Sequence, residues 1–194
     1  MDDNDKNLST VSAFLANGYN KDEIVAMDIK VRQHNEFVAA PYAVDLTSHE
    51  IKLIEYMISL VKVIDKDLIN AKVHKEFVFS ATDLAKVLNT HISRVVKDAD
   101  KLADSITSKK IIEKRLDIRG NIEDFSYIPI VSYANYNKGL FKFSLNYYVL
   151  KYFVDINQNF TEFQLRYLLS LTTAYSVKLY KLLHWLFHFQ ALIR

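Results

Sequence analysis

From residue 46 onward, the chain passes between stretches whose apolar residues recur every three or four positions and stretches where they recur every second one. Ile51, Ile54, Met57, Ile58 and Val61 fall at helical spacing, with Lys52, Glu55 and Lys62 on the outside. Ahead of them Thr47-Ser48-His49-Glu50 reads as a capping box, with Leu46 and Ile51 placed as a hydrophobic staple, which predicts a helix over about 48–63. A short strand, Glu76 to Phe79, leads into Phe79-Ser80-Ala81-Thr82-Asp83-Leu84, a weaker capping pattern that opens a helix over about 81–88. Asn89-Thr90 then forms a turn and caps a second helix, where Ile92, Val95, Val96, Ala99, Leu102, Ala103 and Ile106 repeat at three and four. Two helices joined by a tight turn, the second longer, form a helix-turn-helix.

The period then drops to two. Lys110 to Ile118 and Phe125 to Tyr136 read as two strands joined around Arg119-Gly120-Asn121, and Asn137-Lys138-Gly139 turns the chain into a further strand, Leu140 to Leu145. Beyond it the pattern is helical again. Leu145, Tyr148, Val149, Tyr152 and Phe153 form one face, Phe160-Thr161-Glu162-Phe163-Gln164-Leu165 repeats the capping box and predicts a helix from Thr161, and a last helix starts near Tyr175. The predicted fold class is α+β: a winged helix, made of a helix-turn-helix plus a β-hairpin wing, with additional C-terminal helices.

Composition changes this picture mainly by exclusion. Among 194 residues there are no Cys, three Gly and two Pro, which removes disulfide scaffolds, cysteine zinc sites, thiol nucleophiles and glycine-rich phosphate cradles. Twenty-five basic and 23 acidic side chains leave a net charge of +2, so a nucleic-acid surface has to come from arrangement. The distribution is uneven: residues 1–28 are acidic and read as a loosely ordered leader with a short helix over Ser9 to Ala16, whereas the last quarter is basic. The globular part is expected over 30–183, with 184–194 as a divergent apolar helix end. The acidic start does not resemble a secretory signal, and Leu179 to Ile193 is shorter than the roughly 20 residues of a spanning helix. A cytoplasmic protein with no membrane partner is expected.

Catalytic chemistry finds little support. His184 and His188 stand i, i+4, but no carboxylate or Cys adjoins them, so a packed or partly exposed pair is the better reading than a metal site. There is no His-x-His of a nicking nuclease, Tyr147 and Tyr148 read as core, Asp65 and Asp67 as loop solvation, and Walker-type or dinucleotide motifs are missing. No catalytic residue, metal or cofactor is expected. The binding candidates are Arg94, Lys97 and Lys101, which share one side of the second helix, and Lys109, Lys110, Lys114, Arg115 and Arg119 in the hairpin. Asp98, Asp100 and Asp104 fit a solvated, salt-bridged helix face equally well, and the hairpin cations also suit a charged edge that discourages strand pairing. The Tyr-rich segment Tyr127 to Tyr136 reads as core and interface ahead of base stacking.

Val31-Arg32-Gln33-His34-Asn35-Glu36, then Tyr42-Ala43-Val44-Asp45-Leu46-Thr47 leading into Ile54-Glu55-Tyr56-Met57-Ile58-Ser59, resembles the opening of the theta-type plasmid replication initiators. Ser132-Tyr133-Ala134-Asn135-Tyr136, the segment Phe160 to Leu165, and Ala174 to Leu183 extend the resemblance over roughly 31–183. It implies the first of two winged helices: a domain that mediates dimerisation and makes supporting backbone contacts to repeated origin DNA, and that shares in replication initiation and autoregulation. It implies host replication proteins as partners and no metal or nucleotide. The pattern departs after Leu183, where His184-Trp185-Leu186-Phe187-His188-Phe189 leads to Arg194. The second winged helix is expected to be absent, through fragmentation, frameshift or natural truncation, and a truncated regulator that dimerises with full-length initiator is the alternative. A polymerase or nicking nuclease is the weaker class.

Overall fold

The computed structural model describes residues 29–39, 45–61, 65–154, 156 and 159–192. The leader 1–28, Tyr42-Ala43-Val44 and Lys62 lie outside the described residues. The chain begins with β1 (Lys30–His34), α1 (Asn35–Ala39), α2 (Ser48–Ser59), α3 (Lys66–Ala71), β2 (Lys75–Ser80), α4 (Ala81–Leu88), α5 (Ile92–Lys97) and α6 (Ala99–Ser108). It continues with β3 (Lys110–Leu116), β4 (Ile122–Pro129), β5 (Val131–Asn137), β6 (Leu140–Leu145), α7 (Tyr147–Leu150), β7 (Phe160–Gln164), α8 (Leu165–Ser170) and α9 (Ala174–Leu192).

The capping box at α2 forms: Glu50 N–H donates to Thr47 Oγ1 at 3.3 Å, and Thr47 N–H donates to the Glu50 carboxylate at 2.6 Å. The helix stops at Ser59, short of the predicted 63, with Leu60 as its C-cap. Every residue from Glu50 to Ser59 is buried, including Lys52 and Glu55, which the spacing had placed outside. The reason is enclosure: α2 is surrounded by β1, α4, α8 and α9, so it has no solvent face. Glu55 is compensated there by hydrogen bonds from Gln33 on β1 and Lys181 on α9.

The winged-helix sheet is antiparallel with order β2-β6-β5. Its register sets Phe77 opposite Phe143 and Phe79 opposite Phe141, and the period of two turns all four rings inward. Burial of each such ring contributes about 1.5–3 kcal/mol. At the other end, β5 and β6 are joined by two residues only, Lys138 (φ 46) and Gly139 (φ 84), as a tight hairpin of right-twisted strands requires.

Four further expectations change. The segment Phe160 to Gln164 is the strand β7, not the start of a helix. It pairs antiparallel with β1, buries Thr161 and Phe163, and uses Glu162 to hold Lys30 (3.0 Å) and Arg32 (2.7 Å); the helix begins only at Leu165. The run Phe125 to Tyr136 is two strands, because Pro129 cannot donate to a ladder and the fully buried Ile130 serves both neighbours: its N–H donates to Lys109 O, and its C=O accepts from Asn146 N–H. The second helix of the helix-turn-helix is broken at Asp98 (φ −100, ψ 17) into α5 and α6, and its N-cap is His91, not the Asn89-Thr90 turn. Tyr148, expected in the core, is exposed beside Tyr147, while Leu145, Val149 and Tyr152 are buried.

Candidate nucleic-acid interface

The helix-turn-helix is built from α4, a left-handed turn and α5. Ser80 caps α4: the Asp83 N–H donates to its Oγ at 3.0 Å, and the Asp83 carboxylate accepts from Ser80 N–H in return. Asn89, at φ 55 and ψ 53, ends α4 in the conformation that Asn tolerates best among residues with a Cβ, and Thr90 N–H closes back on Ala85 O at 2.9 Å. Of the apolar residues read as one buried stripe in the second helix, Val95, Ala99 and Ile106 are buried, but Ile92 is 47% and Val96 40% exposed. They flank the Val95–Ala99 line, and together with the exposed His91, Ser93 and Lys97 they form the outward face of α5. This combination of small apolar contacts and one cation suits the floor of a major groove, where thymine methyl groups and base edges are presented. The sequence pattern could not separate Ile92 and Val96 from the core, because their spacing is equally helical.

Arg94 and Lys101 both lie 3.8 Å from the two oxygens of Asp98, the residue at the helix break. All three side chains stand in solvent, where such pairs contribute about 0–1 kcal/mol, so the cations can be surrendered to phosphate at little cost.

The hairpin β3–β4 stands apart from the winged-helix sheet as a two-stranded ribbon. The predicted basic run does not act as one group. Period two places Lys110 and Lys114 on one face, opposite Pro129 and Phe125, while Arg115 lies on the other, opposite Asp124 and 3.1 Å from Glu123. The Lys114 face also carries Phe125 and Tyr127, 57% and 58% exposed, with rings edge to face at 5.6 Å. Arg119 sits in the tip, which Asp117 organises by accepting from the backbone N–H groups of Arg119 and Asn121, each at 2.8 Å. A hydrogen bond from the Asn121 side chain and these backbone donors hold the Asp117 carboxyl below its ordinary range. Lys109 is different again: it is only 20% exposed and donates to Asp45 O at 2.9 Å, with Glu50 at 3.7 Å. It fastens the end of α6 to the start of α2.

Glu50 is the node of that junction. Burial opposes its ionisation, but hydrogen bonds from Ser105 and the Thr47 backbone hold its carboxyl below the usual carboxylate range. On the inner face of the hairpin, Glu113 behaves alike: burial is outweighed by hydrogen bonds from Lys151, at 2.8 Å, and Tyr152. Burial and the Glu113 contact push the Tyr152 phenol well above its ordinary value.

The Lys138-Gly139 loop was read only as a turn. It occupies the position of the wing in this sheet, and Gly139 O accepts from Ala81 N–H at 2.8 Å, so the wing abuts the first turn of α4 and carries the exposed Lys138. Among the described residues, no group of three or more His, Cys, Asp or Glu gathers as a metal site, and no helix is long and apolar enough to cross a membrane.

Comparison with solved structures finds a similar chain described as the crystal structure of Pi initiator protein in complex with iteron DNA. The superposition has a TM-score of 0.61 at 18% identity and covers 81% of this chain and 64% of that one. At that identity the likeness establishes the fold, here an α+β winged helix. The search of curated proteins gave no match. The family model described as "Initiator Replication protein, WH1" matches residues 30–184, and the chain belongs to that family.

Proposed function

We propose that this protein acts as a plasmid replication initiator, in which the winged helix described here binds repeated origin DNA. The observation that carries the reading is the pairing of an exposed α5 face, Ile92, Ser93, Val96 and Lys97, with cations held only by solvent-exposed ion pairs. In this reading α5 approaches the major groove. Arg94, Lys97 and Lys101 contact phosphates around it, and Lys110, Lys114 and Arg119 extend the contact along the backbone from the hairpin, with Arg115 on the other face of the ribbon contributing less. Lys109 positions α6 from within. The work is binding, with no chemical step, so the protein is not an enzyme and acts in the cytoplasm where plasmid DNA resides. Domain 30–183 is the DNA-binding and self-associating unit.

Self-association has its own support. β5 is one of the two edge strands of the winged-helix sheet, with Ser132, Tyr133 and Asn135 exposed along it, and an edge of this kind can offer backbone groups to a second copy. A dimer of this kind also serves the regulator reading, in which the chain pairs with other initiator molecules.

The test is a gel shift of the full chain on duplexes carrying tandem repeats from its replicon. Retardation that disappears on scrambling the repeats is expected. Absence of retardation at low salt removes the DNA reading, and metal-dependent nicking of supercoiled plasmid would replace it with an enzyme.

A further inference from the structure

The β3–β4 ribbon is held to the body of the molecule at one end. Ile111 and Ile128, opposite each other at its base, are buried, and Glu113 is fixed there by Lys151 and Tyr152. Beyond that point every residue from Lys114 to Tyr127 is exposed except Asp117. Three of them form an apolar point: Leu116 and Ile122 pair at the last rung and are more than half exposed, and Ile118 beyond them is fully exposed. We infer that this tip is a wedge, in which Ile118 enters the minor groove of duplex DNA and opens a base step, kinking the helix. This role rests on the DNA-binding reading above, to which it adds deformation of the duplex.

The tip is built to be firm. Asp117 N–H donates to Asn121 O at 2.9 Å and Gly120 N–H to Asp117 O at 3.0 Å, while the Asp117 carboxylate accepts from the N–H groups of Arg119 and Asn121 and from the Asn121 side chain. Gly120, at φ 83, supplies the left-handed residue that lets the loop close. A loop closed in this way has little conformational freedom left to lose on insertion, and Ile118 is β-branched and therefore stiff at χ1. The one carboxylate at the tip is occupied by its own loop.

Size and charge select the groove. Paired strands lie about 4.8 Å apart and the minor groove is about 6 Å wide, so the tip fits once the groove opens, which is what an apolar side chain pressed between base steps achieves. Arg119, exposed next to Ile118, is placed for the negative potential of that groove, and Lys110 and Lys114 lie further back on one face, where phosphates flank it. The acids of the outer ribbon stand behind the tip: Glu123 is 3.1 Å from Arg115, and Asp124 is opposite the same residue. A second copy of the tip would instead set Arg119 against like charge. From Ile111 to Ile118 the strand rise gives about 23 Å, more than the roughly 17 Å of half a duplex turn, so α5 and the tip can engage neighbouring grooves of one duplex.

The test uses the full chain on the repeat duplex, with a dye at each end to read bending by energy transfer and 2-aminopurine in place of each adenine in turn to read unstacking. The wild type is expected to bend the duplex by about 20° or more and to raise 2-aminopurine fluorescence about threefold at one step. Ile118→Ser should abolish both while leaving the slope of log affinity against log salt unchanged, since no phosphate contact is lost, and Ile118→Phe should restore both. A straight, fully stacked duplex under the wild type, or bending and fluorescence unaltered in Ile118→Ser, would overturn the inference and leave the DNA-binding reading standing. Absence of binding by the wild type would remove both. Loss of self-association by Ile118→Ser in light scattering, with bending retained, would assign the tip to a second copy of the chain and overturn the wedge.

Discussion

Lys181 of α9 and Glu55 of α2 form an ion pair at 2.5 Å, both almost wholly removed from water. The ammonium also lies 5.6 Å and 5.5 Å from the ring centres of Phe37 and Phe163, and Gln33 donates to the second carboxylate oxygen. This one carboxylate therefore connects β1, the central helix and the last helix. Paired charges at such depth contribute little net stability over an apolar pair, but an orphaned one is costly. Lys181→Met is expected to lose about 3–5 kcal/mol in urea unfolding, and adding Glu55→Leu should restore most of it. A double variant as unstable as the single one would mean that the pair does more than compensate its own burial.

Acid should loosen the fold through three carboxylates. Glu50, Glu113 and Glu162 are each held below their ordinary value of 4.5, against their own burial, by hydrogen bonds from Ser105 and Thr47, from Lys151 and Tyr152, and from Arg32 and Lys30. A carboxylate with a lowered folded pKa stabilises fully above its unfolded pKa and ceases to do so as pH falls through the folded value. The urea midpoint should be level from neutral pH down to about 5 and should drop below it. Glu50→Gln should flatten that drop, and an equally steep decline in the variant would move the effect to other groups.

The wing turn gives a sharper local prediction. Gly139 has φ 84 and open space around a would-be Cβ, so the cost of Gly139→Ala is conformational alone. Forcing Ala into the left-handed region should cost about 1–2 kcal/mol in unfolding experiments. Because Gly139 O accepts from Ala81 N–H, the same change should increase amide exchange at the first turn of α4. Slow exchange there would show that the wing and the helix-turn-helix are not coupled.

Much of this architecture was legible in the sequence, and the failures share a cause. Thr47 with Glu50, Ser80 with Asp83, and Asn137-Lys138-Gly139 encode their caps and turn locally, so they could be read directly. Phe160 to Gln164 carries the same local signs of a helix start, but pairing with β1 and the grip of Glu162 on Lys30 and Arg32 override them. Lys52 and Glu55 misled for the opposite reason: charge suggests solvent, yet both are buried, and for Glu55 it is the partners brought by β1 and α9 that permit it. At the candidate interface the cations were visible as a run. Their division between two faces of a ribbon, and the inward turn of Lys109, depend on strand register and on Glu50, which lies 59 positions before Lys109.

That division makes the hairpin cations separable. If Lys110 and Lys114 face phosphate together, Lys110→Ala with Lys114→Ala should reduce the slope of log affinity against log salt by about 1.8, at about 0.9 per contact. Arg115→Ala, on the opposite face, should have a smaller effect than either. Equal effects from Arg115 and Lys114 would mean that the ribbon is gripped on both faces.

The central claim is that the winged helix holds duplex DNA through the outward face of α5 and the cations beside it. The most direct test is the equilibrium affinity of the full chain for a fluorescent repeat duplex, measured by anisotropy from about 50 to 200 mM salt, for the wild type and for Arg94→Ala with Lys97→Ala. The account predicts tight low-salt binding that weakens linearly on the logarithmic scale, with a slope lower by up to about 1.8 in the variant. An unchanged slope and affinity in the variant would contradict it and place the DNA on another surface.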